Sequence, residues 1–248
     1  MAPSSKRGIG WPVENKRDPV ALFTRPGSRI TWLYNWSPHP TPGASSLAFV
    51  PMQWNACGLA ELPANVARSG ARVCLAFNEP ELPEQAHMTA DVAARHWLAT
   101  IEPLRRRGVR CGAPAISSAG HALTWLSDFL RRVRGAGGDV DFYCLHWYGE
   151  TLGQFYDYIW TARGKLGADK PVWITEFAST NWNTKRPLSR EHVEHFARES
   201  VKYLETLDWV ERYAWFGAMR DVGNVGAGAR MFNDQGALTP LGKAYRDA

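Results

Sequence analysis

Two glutamates carry the most chemical information in the sequence. Glu79 stands in Phe77-Asn78-Glu79-Pro80-Glu81, and Glu176 stands in Trp173-Ile174-Thr175-Glu176-Phe177. Each closes a short apolar run that reads as a β-strand. The stretch between them supplies two more such strands with helices around them. In a barrel of parallel strands, residues at the strand C-termini converge on one face. Two carboxyl groups placed there suit glycosidic bond cleavage, one to protonate the leaving oxygen and one to attack the anomeric carbon. The acid must keep its proton near working pH. Glu79 fits that role, with Asn78 beside it to bond a sugar hydroxyl and Pro80 to fix the turn. Glu176 fits the nucleophile, with Tyr148 placed to donate to its carboxylate.

Elements that could position this pair recur along the whole chain. Strands are expected at residues 8–11, 30–36, 48–54, 72–77, 109–115, 142–148, 172–177 and 212–216. Most are continuous apolar runs rather than alternations, as in a parallel sheet covered by helices. Helices are expected at 60–69, 89–107, 122–134, 152–165 and 189–206, with Thr89 as a start signal and Gly108 as a stop. Unusual residues gather after strands, as in Asn35-Trp36, Gln53-Trp54, His146-Trp147-Tyr148, Asn181-Trp182 and Trp215-Phe216, whereas the turns before strands are plain. That asymmetry points to an α/β fold of the (β/α)8 TIM-barrel type, with its site on the C-terminal face. The 248 residues match the roughly 250 of a minimal barrel, so one domain spanning 1–248 is expected. The glycine-rich stretch at 223–228 lacks the lysine and the strand–helix context of a phosphate loop.

Composition narrows the partners. Twelve tryptophans are many for this length, and an indole offers a flat face for a sugar ring. Trp11 and Trp32 read as core; Trp36, Trp54, Trp147, Trp182 and Trp215 are candidate sugar platforms. The net charge of +5 comes from scattered arginines such as Arg105-Arg106-Arg107 and Arg131-Arg132. These sit at helix ends, where cations offset the helix dipole, and form no aromatic-flanked nucleic-acid face. Cys57, Cys74, Cys111 and Cys144 form no C-x-x-C pair, so metal-ligand spacing is absent and neither metal nor cofactor is expected. No run approaches the length needed to span a bilayer, and no nucleic acid or membrane partner is expected. The N-terminus has no apolar leader core, so the chain reads as cytosolic or as a mature segment without its leader.

The residues resemble clan A glycoside hydrolases, whose acid/base Glu follows Asn on strand four and whose nucleophile ends strand seven. The nearer resemblance is to glycoside hydrolase family 128, β-1,3-glucanases of fungi and bacteria. It runs through Tyr34-Asn35-Trp36, Val50-Pro51-Met52-Gln53-Trp54, the Asn78-Glu79-Pro80 segment, Gln85-Ala86-His87-Met88-Thr89, Trp125-Leu126-Ser127-Asp128-Phe129, Val140-Asp141-Phe142, His146-Trp147-Tyr148-Gly149, the Glu176 segment and Tyr213-Ala214-Trp215-Phe216-Gly217. It implies that Glu79 is the acid/base and Glu176 the nucleophile. It also implies that Asn78, His146, Tyr148 and Trp215 surround the sugar at the cleavage point. With Asn35 and the platforms above, these form the expected binding set. Two departures bear on the subtype: Glu81 stands where Asp is expected, and Ala86-His87 replaces Ser-Asn. The resemblance implies a retaining enzyme on β-1,3-glucan, endo- or exo-acting, outside the cell or in the wall, with the leader absent from this chain; a monomer is expected. The competing reading is a β-1,3-glucan or oligosaccharide-binding protein on the same barrel with little or no turnover.

Overall fold

The computed structural model describes residues 5–247. Eight parallel strands are β1 (Arg7–Gly10), β2 (Trp32–Tyr34), β3 (Ala48–Phe49), β4 (Val73–Cys74), β5 (Arg110–Cys111), β6 (Tyr143–Gly149), β7 (Val172–Ser179) and β8 (Val210–Trp215). Six pair in the order β3-β2-β1-β8-β7-β6, and β4 pairs with β5. Single bridges join the two arcs, Met52 to Leu75 on one side and Gly112 to Phe142 on the other. Main-chain bonds continue the seams, from Gln53 N to Leu75 O at 3.0 Å and from Ala113 N to Phe142 O at 2.9 Å. The ring is the expected (β/α)8 barrel.

Several regular strands are shorter than the apolar runs that mark them. Pro51 and Pro114 lie inside two of those runs, and proline has no N–H for the ladder. The connecting helices are α1 (Leu62–Ser69), α2 (Ala90–His96), α3 (Glu102–Arg106), α4 (Ala122–Gly135), α5 (Leu152–Leu166), α6 (Arg190–Thr206) and α7 (Pro240–Asp247). The single helix expected at 89–107 is interrupted by a π-helical turn at Trp97–Ile101. Pro103 follows it, and a proline ring crowds the carbonyl four residues back, which widens the ladder there. Side-chain oxygens of Thr89, Thr151 and Ser189 cap α2, α5 and α6. β2 and β3 are joined by a loop instead of a helix, and α7 has no counterpart in the sequence expectation.

Period-two alternation sorts the strand side chains into two cores. Trp32, Tyr34, Met52, Leu75, Phe142, Cys144, Trp173 and Ala214 fill the barrel interior. Phe142 stacks on Trp173 with centroids 4.2 Å apart, and Trp32 lies 5.3 Å from Trp173. The Arg212 guanidinium lies 4.6 Å from the Trp173 ring and 5.5 Å from that of Trp32. The alternate residues Leu33, Tyr143, Leu145, Tyr213 and Trp215 pack outward with helix residues such as Phe129, Phe155 and Phe196. All four cysteines are free, and burial pushes the Cys74 thiol up to about 12. The arginine runs are paired along the helix exteriors, Arg105 and Arg106 with Glu102, and Arg131 and Arg132 with Asp128. Among the described residues no helix is long and apolar enough to cross a membrane.

Candidate active site

The inward row of each strand rises from the aromatic floor to the mouth. On β6, Phe142 and Cys144 are followed by His146 and then Tyr148; on β2, Trp32 and Tyr34 are followed by Trp36. On β7 the registers against both β6 and β8 shift around Thr175 and Glu176. Such bulges re-aim side chains next to active sites. Here Thr175 reaches His146 and Glu176 reaches the mouth.

Glu79 and Glu176 are both buried, at 8% and 6% exposure, and both line one cleft of about 530 Å³. One oxygen of each carboxyl group and one nitrogen of His146 lie within 4.8 Å of one another. The Trp36 indole donates to Glu176 Oε1 at 2.7 Å and the Tyr148 hydroxyl donates to Glu176 Oε2 at 2.6 Å. Both oxygens are thus engaged, which fixes the plane of the group. His146 Nδ1 lies 3.0 Å from Glu79 Oε1; its Nε2 lies 2.9 Å from Thr175 Oγ1 and 3.6 Å from Glu176 Oε1. The triad offers three atoms of metal-ligand type, but Glu79 and Thr175 already engage both ring nitrogens.

Burial opposes charging the His146 ring, but the charges of Glu176 and Glu79 and the bond to Glu79 outweigh it and hold the imidazole above its ordinary value. Burial, then the Glu176 charge, pushes the Tyr148 phenol well above its usual range, so it stays an O–H donor. The same two causes act on Tyr34, whose hydroxyl donates to Thr175 O at 2.8 Å.

Glu79 adopts a left-handed backbone, φ 42°, as do Trp36 at 54° and Trp182 at 57°. Each such non-glycine residue costs on the order of 1–3 kcal/mol and persists only where neighbours over-determine it. For Glu79 those neighbours are the flanking strand ends: its N–H donates to Ala115 O at 2.7 Å and the Asn78 N–H donates to Trp54 O at 2.9 Å. Glu81, two residues on, accepts from Ser117 N at 2.7 Å, and the Tyr158 hydroxyl donates to Ser117 O at 3.1 Å. Together they pin the cleft wall at Ser117.

Of the residues expected to bind sugar, Trp36, Trp54, Asn78, Tyr148 and Trp182 line the cleft. Asn78 donates to Gln85 at 3.1 Å, and its Oδ1 is buried without a partner. His146 is fully buried beneath the glutamates and touches them instead of the open cleft. Three expectations are corrected. Asn35 is buried and bonds His39 O and Thr41 Oγ1, holding the β2–β3 loop. Trp147 lies 5.4 Å from Phe196, stacked on it, facing the helices. Trp215 is 0% exposed, donates to Ala229 O at 2.9 Å and packs against Phe177. All three sit on the outward parity of their strands. The cleft instead takes Phe216, one residue beyond Trp215, together with Gln85, Ser117 and Val225. The inward Ala214 marks 216 as the next inward position, a signal that continuous apolar runs conceal.

Trp215→Ala is expected to lower stability by about 3–5 kcal/mol, a Tm loss of roughly 10 °C, while folded protein keeps near-normal kcat. Thermal melts and kinetics on one preparation check this; a stable variant with depressed kcat returns Trp215 to the sugar. A second expectation concerns pH. A group whose folded pKa is raised contributes stability that is complete below its unfolded value, about 6.5 for histidine, and is lost as pH rises through the folded value. The Tm gap between wild type and His146→Gln should therefore shrink as pH rises from about 6 to 9. A gap that is flat or widens contradicts the elevated imidazole.

The chain is similar to known proteins over nearly its whole length. A family model described as the glycosyl hydrolase catalytic core matches residues 8–245. Alkali-sensitive linkage protein 1 of Schizosaccharomyces pombe (strain 972 / ATCC 24843) is 32% identical over 246 residues, covering 98% of this chain. The chain spans only 44% of that relative's length. Among solved structures, a subgroup III curdlan-specific exo-β-1,3-glucanase of glycoside hydrolase family 128 from Blastomyces gilchristii, in complex with glucose, is 30% identical with a TM-score of 0.81, covering 99% of this chain and 100% of that one. A subgroup I endo-β-1,3-glucanase from Amycolatopsis mediterranei, in complex with laminaritriose, is 28% identical with a TM-score of 0.80, covering 97% and 98%. The chain belongs to the glycosyl hydrolase catalytic core family and, within it, to glycoside hydrolase family 128.

Proposed function

We propose that the chain is a retaining glycoside hydrolase acting on β-1,3-glucan, with Glu176 as nucleophile and Glu79 as acid/base. The observation that carries this reading is the approach of the two carboxyl groups, with oxygens within 4.8 Å of each other at the cleft floor. A retaining pair stands about 5–5.5 Å apart, whereas an inverting pair needs roughly 6.5–9.5 Å to admit water. In the first step the Glu79 carboxyl proton passes to the glycosidic oxygen as a Glu176 oxygen bonds the anomeric carbon and the C–O bond breaks. In the second, Glu79 takes a proton from water, which displaces Glu176. The tightly oriented Glu176 suits attack along a fixed line. Glu79, tied to His146 by Oε1, keeps its other oxygen for the leaving group.

The substrate class follows from the cleft and the relatives together. Trp54, Trp182 and Phe216 give the cleft flat apolar walls between polar groups, suited to the C–H faces of glucose. The solved relatives act on β-1,3-glucan, one exo and one endo. An enzyme of this kind meets its polymer outside the cell or in the wall, and that is the location we assign.

NMR of the first product from a laminari-oligosaccharide should show the β-anomer; an initial α-anomer overturns retention. Glu176→Ala should abolish turnover, and azide should then yield an inverted glycosyl azide. Glu79→Ala should retain activity on an aryl glycoside with a good leaving group, which needs no protonation. Identical behaviour of the two variants on that substrate removes the assignment of roles. Laminarin binding without release of reducing sugar would instead favour the binding-protein reading.

A further inference from the structure

Three large hydrophobic residues are exposed among the described residues: Val13, Trp160 and Trp182. Trp182 belongs to the cleft. Trp160 does not; it stands 47% exposed in the second half of α5, on the barrel's outer wall. α5 runs back from the C-terminal face, so Trp160 lies toward the end away from the cleft.

The indole is not loose. Its Nε1 donates to the Tyr203 hydroxyl on α6 at 2.8 Å. Its ring meets that of Trp209 at 5.1 Å, in the turn that leads into β8. Tyr203 in turn lies 4.1 Å from Tyr156, one helical turn before Trp160 on α5. Four rings thus form a fixed, shallow run across the α5–α6 seam. The charges around it are already satisfied. Arg163 lies over Trp209 at 5.0 Å and donates to Lys170 O at 3.0 Å. Glu199 takes both Arg198 and Lys202.

We propose that this run is a second glucan-binding surface, separate from the catalytic cleft, which holds a neutral β-1,3-glucan chain while the cleft works on it. The proposal rests on the substrate class proposed above. The chemistry favours a neutral sugar polymer over other occupants. A held, half-exposed indole offers a flat face to the axial C–H groups of a pyranose, and the Tyr hydroxyls and nearby carbonyls offer hydrogen bonds at its edge. An anionic polymer would meet Arg163 with its donors on main-chain carbonyls, and Arg198 and Lys202 sharing Glu199. Aromatic rings also suit a protein interface, but four rings fall well short of the roughly 800 Å² per partner that a stable one buries.

The test uses the hydrolysis-blocked Glu176→Gln protein in native gels containing laminarin, with and without Trp160→Ala. Removal of the ring should weaken retardation about fivefold or more, and Trp160→Phe should recover part of it. In the wild-type background, kcat/KM on laminaritriose should be unchanged by Trp160→Ala, because the cleft is untouched. The Trp160 indole N–H signal, followed by 15N NMR in the Glu176→Gln protein, should shift on laminarin addition without any mutation at the site. Equal retardation of the two proteins, or an unmoved indole signal, overturns the proposal. So does a dimer that Trp160→Ala dissociates while glucan retardation stays the same, which makes the row a contact between copies. Failure of laminarin hydrolysis by the wild type counts against the cleft's proposed substrate and is read separately from retardation.

Discussion

Two buried carboxyl groups within 4.8 Å of each other at the barrel mouth set the terms for everything around them. If both were charged they would repel by roughly 3 kcal/mol at an effective dielectric of about 20. A cationic group beside them offsets that repulsion. His146 touches Glu79 and approaches Glu176, and its raised imidazole is the response to both. The remaining neighbours are neutral donors. Trp36 and Tyr148 bond Glu176 without adding charge.

Holding that pair requires local strain, and the strain is concentrated at the cleft. Trp36, Glu79 and Trp182, three of the four non-glycine residues with positive φ among those described, all line it. Each is overruled by its surroundings. Glu79 is clamped between two strand ends, and Trp182 N donates to Thr180 Oγ1 at 3.1 Å. Trp36 needs an empty place below its ring, and Gly10 supplies it: a Cβ there would lie 2.7 Å from the Trp36 ring. A glycine on the first strand therefore serves an indole on the second, which orients a carboxylate on the seventh.

The glutamate pair and the barrel were legible in the sequence because both depend on strand ends, and strand ends are marked by composition. Which side of a strand a residue faces was not legible, because parallel strands buried on both faces carry no alternation. Asn35, Trp147 and Trp215 share that single cause. Each neighbours a cleft residue, Trp36, Tyr148 and Phe216 respectively, and a shift of one position turns a side chain from the mouth to the helices. The bulge at Thr175–Glu176 was hidden for the same reason, although it brings two successive side chains to the site. Helix α7 and the π turn do carry local signals, a capping Thr239 before Pro240 at the start of the one and Pro103 just after the other, but each is short and lies beside longer apolar runs that dominate the pattern.

The interior column explains how a polar mouth can sit on so small a barrel. Below the carboxyl groups the rungs are aromatic and closely stacked, from Tyr34 through Trp32, Trp173 and Phe142 to the Arg212 guanidinium at the base. This plug excludes water from beneath, so the polar groups above it meet solvent only through the cleft. Low access to water strengthens each hydrogen bond to the glutamates and makes each unmatched charge more costly. The same plug therefore supplies stability to the fold and electrostatic leverage to the site. That is why the inward row of β6 can run from Phe142 through Cys144 to His146 without a break between structural and chemical residues.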